Sequence, residues 1–369
     1  LFFSTSHARG ARARRKNAAC VSFGLHACSA CLSLQESAEE LPRECRGCTA
    51  VVAMVDVKRR SPCGFVSVME VPTQVICYGN KWLHHEGNTR PLVIVLPGNP
   101  GSIEFYDEFM YEIYRNHKGK LNVWGISHAG HVLPPASLEM PDVEANPSLY
   151  LCDGQIQHKL TFIEQHVPEG TPLILIGHSI GCYMVLKMLK QNHNLNIKKV
   201  ILLFPAIENL MNCPKAPLVS ALITVLKPVT MASITAMRYL PRYILYIIVR
   251  LYLLVSICCT TPRTNVLRGV LNYFKPECVQ ACFAYTKDII DKVKERYNDT
   301  MLQYQEKLIL YYGTDDHWCP AEYYKDVRKM FPDADVRLCS RGFRHAFVLD
   351  KGAEVGCMVS DWLAQVLRH

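Results

Sequence analysis

No stretch of about 18 consecutive uncharged apolar residues occurs in this chain of 369 residues, which argues against a conventional membrane-spanning helix. Internal repeats and low-complexity tracts are also missing, so nothing points to a repeat array or a fibrous protein. Charge is scarce: charged residues make up 20% and hydrophobic residues 49%, an apolar share that excludes a wholly disordered chain. Beyond residue 60 the formal net charge is only +3 of the total +8, too little for a nucleic-acid-binding stripe. The 17 cysteines are odd in number and irregularly spaced, which does not suit a disulfide framework and favours a reducing compartment.

The basic charge that is present concentrates at the amino end. Residues 1–60 hold 10 Lys/Arg against 5 Asp/Glu, with Arg9, Arg12, Arg14, Arg15 and Lys16 clustered and no acid before Glu36. That pattern is similar to a mitochondrial transit peptide or a signal-type n-region. The lack of strong periodicity favours instead an upstream translated stretch ahead of a start at Met54. Residues 1–62 are therefore expected to be a basic, cysteine-containing leader, disordered or non-native. Cys28-x2-Cys31 and Cys45-x2-Cys48 stand near zinc-ribbon spacing, but the strand pattern of a ribbon is missing around them, and no metal or other cofactor is expected.

From Val66 the texture changes. Thr73–Tyr78 alternates like a strand, and Leu92–Leu96 is an unbroken apolar run, as a strand buried on both faces would be. Further strands are predicted at Leu121–Ile126, Leu173–Ile176, Val200–Phe204, Leu308–Tyr312 and Val336–Cys339. Helices are predicted at Asp153–Val167, Cys182–Gln191, Ala321–Phe331 and Gly352–Arg368. Alternating strands and helices imply an α/β fold with a doubly wound, mostly parallel sheet. About 100 residues separate Phe204 from the strand at Leu308, far more than one crossover needs. The expected organisation is a core at 63–206 and 306–369, interrupted by a large helical lid at 207–305.

Gly177-His178-Ser179-Ile180-Gly181 follows a buried strand and opens a helix, the context of a nucleophile elbow. So tight a turn needs small residues two before and two after the serine, and Gly177 and Gly181 supply them. A serine nucleophile needs a base, and the base needs an orienting acid, in the chain order serine, acid, histidine. Asp315 and Asp316 compete for the acid, in the loop leaving the strand at Leu308–Tyr312. Asp316, three after Gly313 and four before Pro320, has the better placement. His345 lies beyond the next strand and ahead of the last helix, where the base belongs, whereas His178 reads as a packing residue. Two backbone amides should hold an oxyanion: that of Ile180, and that of Asn99 in the glycine-bearing loop Leu96–Gly101.

The lid has its own signature, two apolar arms at Leu218–Leu226 and Tyr243–Cys259, with Pro228 and Pro241 expected to break them. The second arm has 17 residues with only Arg250 charged. As a helix it reaches about 25 Å, short of a bilayer core of about 30 Å. Tyr243, Ile244, Leu245, Ile247, Ile248, Leu251, Leu253 and Leu254 form a candidate surface for a phospholipid monolayer, with a cap helix buried against its own domain as the alternative. Asn298-Asp299-Thr300 is a glycosylation sequon, without meaning if the protein faces the cytosol.

Taken together, Leu96–Gly101 (LPGNPG), Ile126–His131 (ISHAGH), Gly154–Lys159 (GQIQHK), Gly177–Gly181, Tyr311–Pro320 and His345-Ala346-Phe347 resemble the lipid droplet-associated hydrolase family. The resemblance covers roughly Val66 to the carboxyl end and departs at His317, where relatives tend to have proline. It implies an α/β-hydrolase with a serine triad on Ser179, Asp316 and His345. It also implies a droplet-targeting apolar region in the lid, and residence on lipid droplets and the endoplasmic reticulum at the cytosolic face. The implied substrate is a lipid ester, with weak sterol ester hydrolysis and a role in cholesterol and triglyceride homeostasis. A droplet-surface organiser of little turnover is the alternative. The phospholipid monolayer is the expected partner, and nucleic acid is not.

Overall fold

The structure, a computed structural model, describes residues 63–80, 90–237, 239–256, 264–273 and 275–367. The expected leader and its cysteine pairs lie outside the described residues.

Eight strands form one sheet: β1 (Cys63–Val68), β2 (Val71–Tyr78), β3 (Leu92–Leu96), β4 (Asn122–Ile126), β5 (Leu173–His178), β6 (Ile197–Leu203), β7 (Leu308–Tyr312) and β8 (Asp335–Leu338). Their spatial order is β1-β2-β4-β3-β5-β6-β7-β8. β2 runs antiparallel to both β1 and β4, and every other pairing is parallel. The helices are α1 (Asp107–Asn116), α2 (Pro147–Tyr150), α3 (Cys152–His166), α4 (Ile180–Gln191), α5 (Ala216–Met237), α6 (Arg242–Ser256), α7 (Thr264–Tyr273), α8 (Pro276–Lys292), α9 (Asn298–Gln303), α10 (Ala321–Met330) and α11 (Gly352–Val366).

The central strands carry apolar, mostly branched residues because both faces are covered. Alternation along each strand sends its side chains to two separate cores. Leu92, Ile94 and Leu96 of β3 join Leu173 and Leu175 of β5 against α3, α4 and α10. Val93 and Val95 point the other way, toward α1 and α11. The register aligns Val95 with Ile176, Ile176 with Ile201 and Ile201 with Ile309, so one apolar row crosses four strands on that second face.

α5 to α9 all lie between β6 and β7. α5 packs on α8, and α6 on α7. One sequence expectation fails here. Pro228 does not break its apolar arm but lies inside α5. Its fixed φ is itself helical, and the cost is one lost amide hydrogen bond together with crowding of the carbonyl one turn back. Pro241 does separate α5 from α6. None of the described helices is long and apolar enough to cross a membrane.

Candidate active site

Ser179 stands between the end of β5 and the first turn of α4, with φ 54° and ψ −123°. A serine in that region is strained by about 1–3 kcal/mol, and the surroundings hold it there. Its amide donates to the Leu203 carbonyl at 3.0 Å, and its own carbonyl accepts from Cys182 and Ala206 at 3.0 and 3.2 Å. The two glycines are required by space. A methyl on Gly177 would come within 2.8 Å of the Cys182 backbone, and one on Gly181 within 2.5 Å of the Leu96 carbonyl oxygen.

His345 reaches this serine from the loop between β8 and α11. Its Nε2 lies 2.8 Å from Ser179 Oγ and its Nδ1 lies 2.7 Å from Asp316 Oδ2. Asp316 leaves the loop after β7, and its other oxygen accepts the amides of Trp318 and Cys319 at 2.8 and 3.1 Å. Burial alone would raise the carboxyl pKa. The attraction of His345, its hydrogen bond and the two amides outweigh that, so the pKa lies below the ordinary value and the carboxylate is kept charged. Asp315, the competing acid, has a side chain 77% exposed, with Oδ1 4.0 Å from His317 Nε2.

Asp316, Cys319 and His345 place their donor atoms within 4.8 Å of one another, a spacing that could hold a metal ion. The chemistry of the set does not favour one. Asp316 and His345 are bonded to each other, and the Cys319 thiol donates to the Phe204 carbonyl at 3.2 Å. Burial drives the pKa of that thiol far up, whereas metal binding needs the thiolate.

The Leu96–Gly101 loop lies beside Ser179, with Gly98 packed on the Ser179 Cβ. Asn99 is anchored by its side chain: its Nδ2 donates to Thr286 Oγ1 at 2.7 Å, and its Oδ1 accepts from Cys282 Sγ at 3.1 Å. Both partners belong to α8. The far end of the loop is braced by the segment after β4, where His128 N donates to the Gly101 carbonyl at 2.8 Å and Gly101 N donates to His131 Nδ1 at 2.9 Å. Of the two residues whose amides are expected to hold an oxyanion, Ile180 is the first residue of α4, next to Ser179, and Asn99 follows Gly98 in the loop beside it.

Sequence reasoning missed several residues. His178 is not simple packing, since Nδ1 meets the Tyr106 hydroxyl at 2.6 Å and Nε2 the His345 carbonyl at 2.8 Å. Tyr106 and Thr286 carry no local sequence signal, because their roles arise from elements remote in the chain. Phe204, at φ 48°, brings its ring 5.9 Å from that of His345. An apolar residue just after a buried strand gives no hint of that conformation.

The candidate lipid-facing residues divide. Tyr243, Ile247, Ile248 and Leu251 are exposed on α6, and Ile244, Leu245 and Leu254 are half-buried. Leu253 is fully buried with Val249 and does not belong to the exposed face, because a helix that packs on α7 must turn one side inward. The last residues of the predicted arm, 257–259, lie outside the described residues. Leu218, Val225 and Val229 of α5 are exposed as well.

The fold is shared with solved hydrolases. A carboxylesterase of the thaumarchaeon Nitrososphaera gargenis superposes with a TM-score of 0.57 at 16% identity, over 83% of this chain and 99% of its own. A laboratory-evolved potato epoxide hydrolase superposes at 0.56 and 11% identity, over 83% of this chain and 100% of its own. At such identities the likeness concerns the fold, which is that of the α/β-hydrolases. Closer in sequence are proteins named lipid droplet-associated hydrolase. That of Gallus gallus is 36% identical over 277 residues, 74% of this chain and 85% of the relative. That of Drosophila melanogaster is 32% identical over 305 residues, 82% of this chain and 97% of the relative. The profile of the lipid-droplet associated hydrolase family matches residues 89–348. With that match over most of its length, the chain belongs to the lipid droplet-associated hydrolase family.

Proposed function

We propose that the protein is a serine carboxylic-ester hydrolase acting on lipid esters, with sterol esters favoured, at the surface of lipid droplets and the cytosolic face of the endoplasmic reticulum. One observation carries the reading: an unbroken hydrogen-bonded line from Ser179 Oγ through His345 to Asp316, built on a strained elbow. His345 Nε2 takes the hydroxyl proton as Ser179 Oγ attacks the acyl carbonyl carbon. Asp316 holds the imidazole in the Nδ1–H tautomer and stabilises the imidazolium that forms. The carbonyl oxygen becomes an oxyanion that the Asn99 and Ile180 amides can receive, assisted by the positive end of α4. Collapse expels the alcohol, which takes its proton from His345. Water then attacks the acyl-enzyme by the same route and releases the acid.

The test is covalent. A fluorophosphonate probe should label the wild type and leave Ser179→Ala unlabelled; equal labelling of both sinks the assignment. Purified wild type and Ser179→Ala, compared on sterol esters, acylglycerols and short esters, then identify the acyl and alcohol preference.

The exposed apolar faces of α5 and α6 support a second reading, a droplet-surface organiser with little turnover. Cellular lipid storage separates the two, since an organiser works equally well as Ser179→Ala.

A further inference from the structure

His178 precedes the serine, and its bonds connect the Leu96–Gly101 loop, through Tyr106, with the loop that carries His345. Every donor and acceptor along the line is determined. The His345 carbonyl can only accept, so His178 Nε2, at 2.8 Å, must carry a proton. Burial first, and the neighbouring His345 second, lower the His178 pKa to about 3, so the ring is neutral and its Nδ1 is a bare acceptor. Tyr106 therefore donates its hydroxyl proton to Nδ1 at 2.6 Å. The Tyr106 oxygen in turn accepts the Gly98 amide at 2.7 Å. Burial raises the Tyr106 pKa, which keeps that hydroxyl protonated. Tyr106 and His178 are nearly inaccessible to solvent, so water cannot readily replace a lost partner.

We infer that Tyr106 and His178 are positioning residues, which join the loop carrying the oxyanion donor Asn99 and the loop carrying the base His345 into one hydrogen-bonded unit around Ser179. The inference rests on the proposed reaction. Neither side chain needs to touch the substrate. The Gly98 amide fixes the residue just before Asn99, and the His345 carbonyl fixes the backbone from which the imidazole swings. An error of about 1 Å in either position costs on the order of a hundredfold in rate. A third link, from the Asn99 side chain to Thr286 and Cys282, ties the same loop to α8 but does not reach the base.

The experiment uses the full chain and four variants: Tyr106→Phe, His178→Gln, His178→Asn and, as a control, Tyr183→Phe, whose hydroxyl bonds to Tyr297. Glutamine can reproduce the donor to the His345 carbonyl, and asparagine the acceptor for Tyr106. Two readouts are followed: the kinetics of fluorophosphonate labelling and p-nitrophenyl butyrate hydrolysis, and amide hydrogen exchange in peptides spanning 97–101 and 342–347. Tyr106→Phe should slow labelling and lower kcat by about tenfold to a hundredfold, with KM changed by less than about threefold. It should also speed exchange in both peptides, although Tyr106 has no hydrogen bond to the 342–347 loop. His178→Gln should retain more protection at 342–347 than His178→Asn, with the reverse at 97–101, and Tyr183→Phe should change neither.

Unchanged labelling and exchange in Tyr106→Phe overturn the proposal, and so does faster exchange confined to 97–101. A wild type that does not label removes the reaction but not the relay, which the exchange measurement still decides.

Discussion

At the scale of single residues, the two adjacent acids of the loop after β7 make the sharpest contrast. Asp316 is buried with three hydrogen bonds to its carboxylate, and Asp315 points into solvent. Asp316→Asn should lower kcat for ester hydrolysis by about 10³–10⁴-fold through loss of the correct imidazole tautomer, while Asp315→Asn stays within about twofold. Comparable losses would show that the acid is not Asp316. The spacing from Gly313 and Pro320 already pointed to Asp316, because a loop of set length places one position over the sheet edge. His178 illustrates the opposite case, since its ring can read as packing until Tyr106 and His345 are brought to it. His128 offers another residue-level test: both of its ring nitrogens are buried without a protein partner. His128→Phe removes that unmet polarity and should leave stability at pH 7 unchanged or raised by about 1 kcal/mol in urea unfolding.

At the scale of elements, α6 presents Tyr243, Ile247 and Leu251 at four-residue intervals, so they share one exposed face. Replacing Ile247 and Leu251 together by Glu should reduce flotation with artificial droplets of triolein under phosphatidylcholine by about tenfold or more. Because both side chains are exposed, the thermal midpoint should move by no more than about 2 °C. Retained binding would remove α6 from the lipid contact. The inward side of the helix behaves otherwise: Leu253→Glu buries a charge and should unfold α6 from α7. α1 and α11 approach each other closely, and a methyl at Gly356 would come within 2.7 Å of the Phe109 carbonyl oxygen. Gly356→Val should therefore lower the thermal midpoint by several degrees, with the site chemistry intact in the protein that remains folded.

For the whole molecule, acid sensitivity follows from buried histidines. His131 and His178 have pKa values lowered to about 3, chiefly by burial, and those of His128 and His158 also lie well below the ordinary 6.5, for the same reason. Below pH 6.5 the unfolded chain takes up protons that the folded chain refuses, so stability falls as pH falls. Each histidine contributes up to about 1.4 kcal/mol per pH unit, until its folded pKa is reached. Asp316 acts in the same sense at lower pH: its stabilisation is present above the ordinary 3.8 and is lost as pH drops through its lower folded value. Urea unfolding at pH 7, 6 and 5 should show a steep decline, shallower in His128→Phe by about one histidine's share. A flat profile would mean that these rings titrate normally in the folded protein.

The chain by itself determined the α/β alternation, the tight glycine-flanked turn at Ser179, the chain order of Ser179, Asp316 and His345, and the long apolar insertion between β6 and β7, because each is written in local periodicity or in residue types at short spacing. Tertiary structure decided what depends on the approach of distant segments. It continued α5 past Pro228 and turned Leu253 inward while leaving Leu251 outside. It also set Phe204 against His345 and joined Gly98, Tyr106, His178 and His345 into one line. The physical reason is the same in each case. A hydrogen bond or a buried face needs a partner, and where that partner lies far along the chain, only folding brings it within reach.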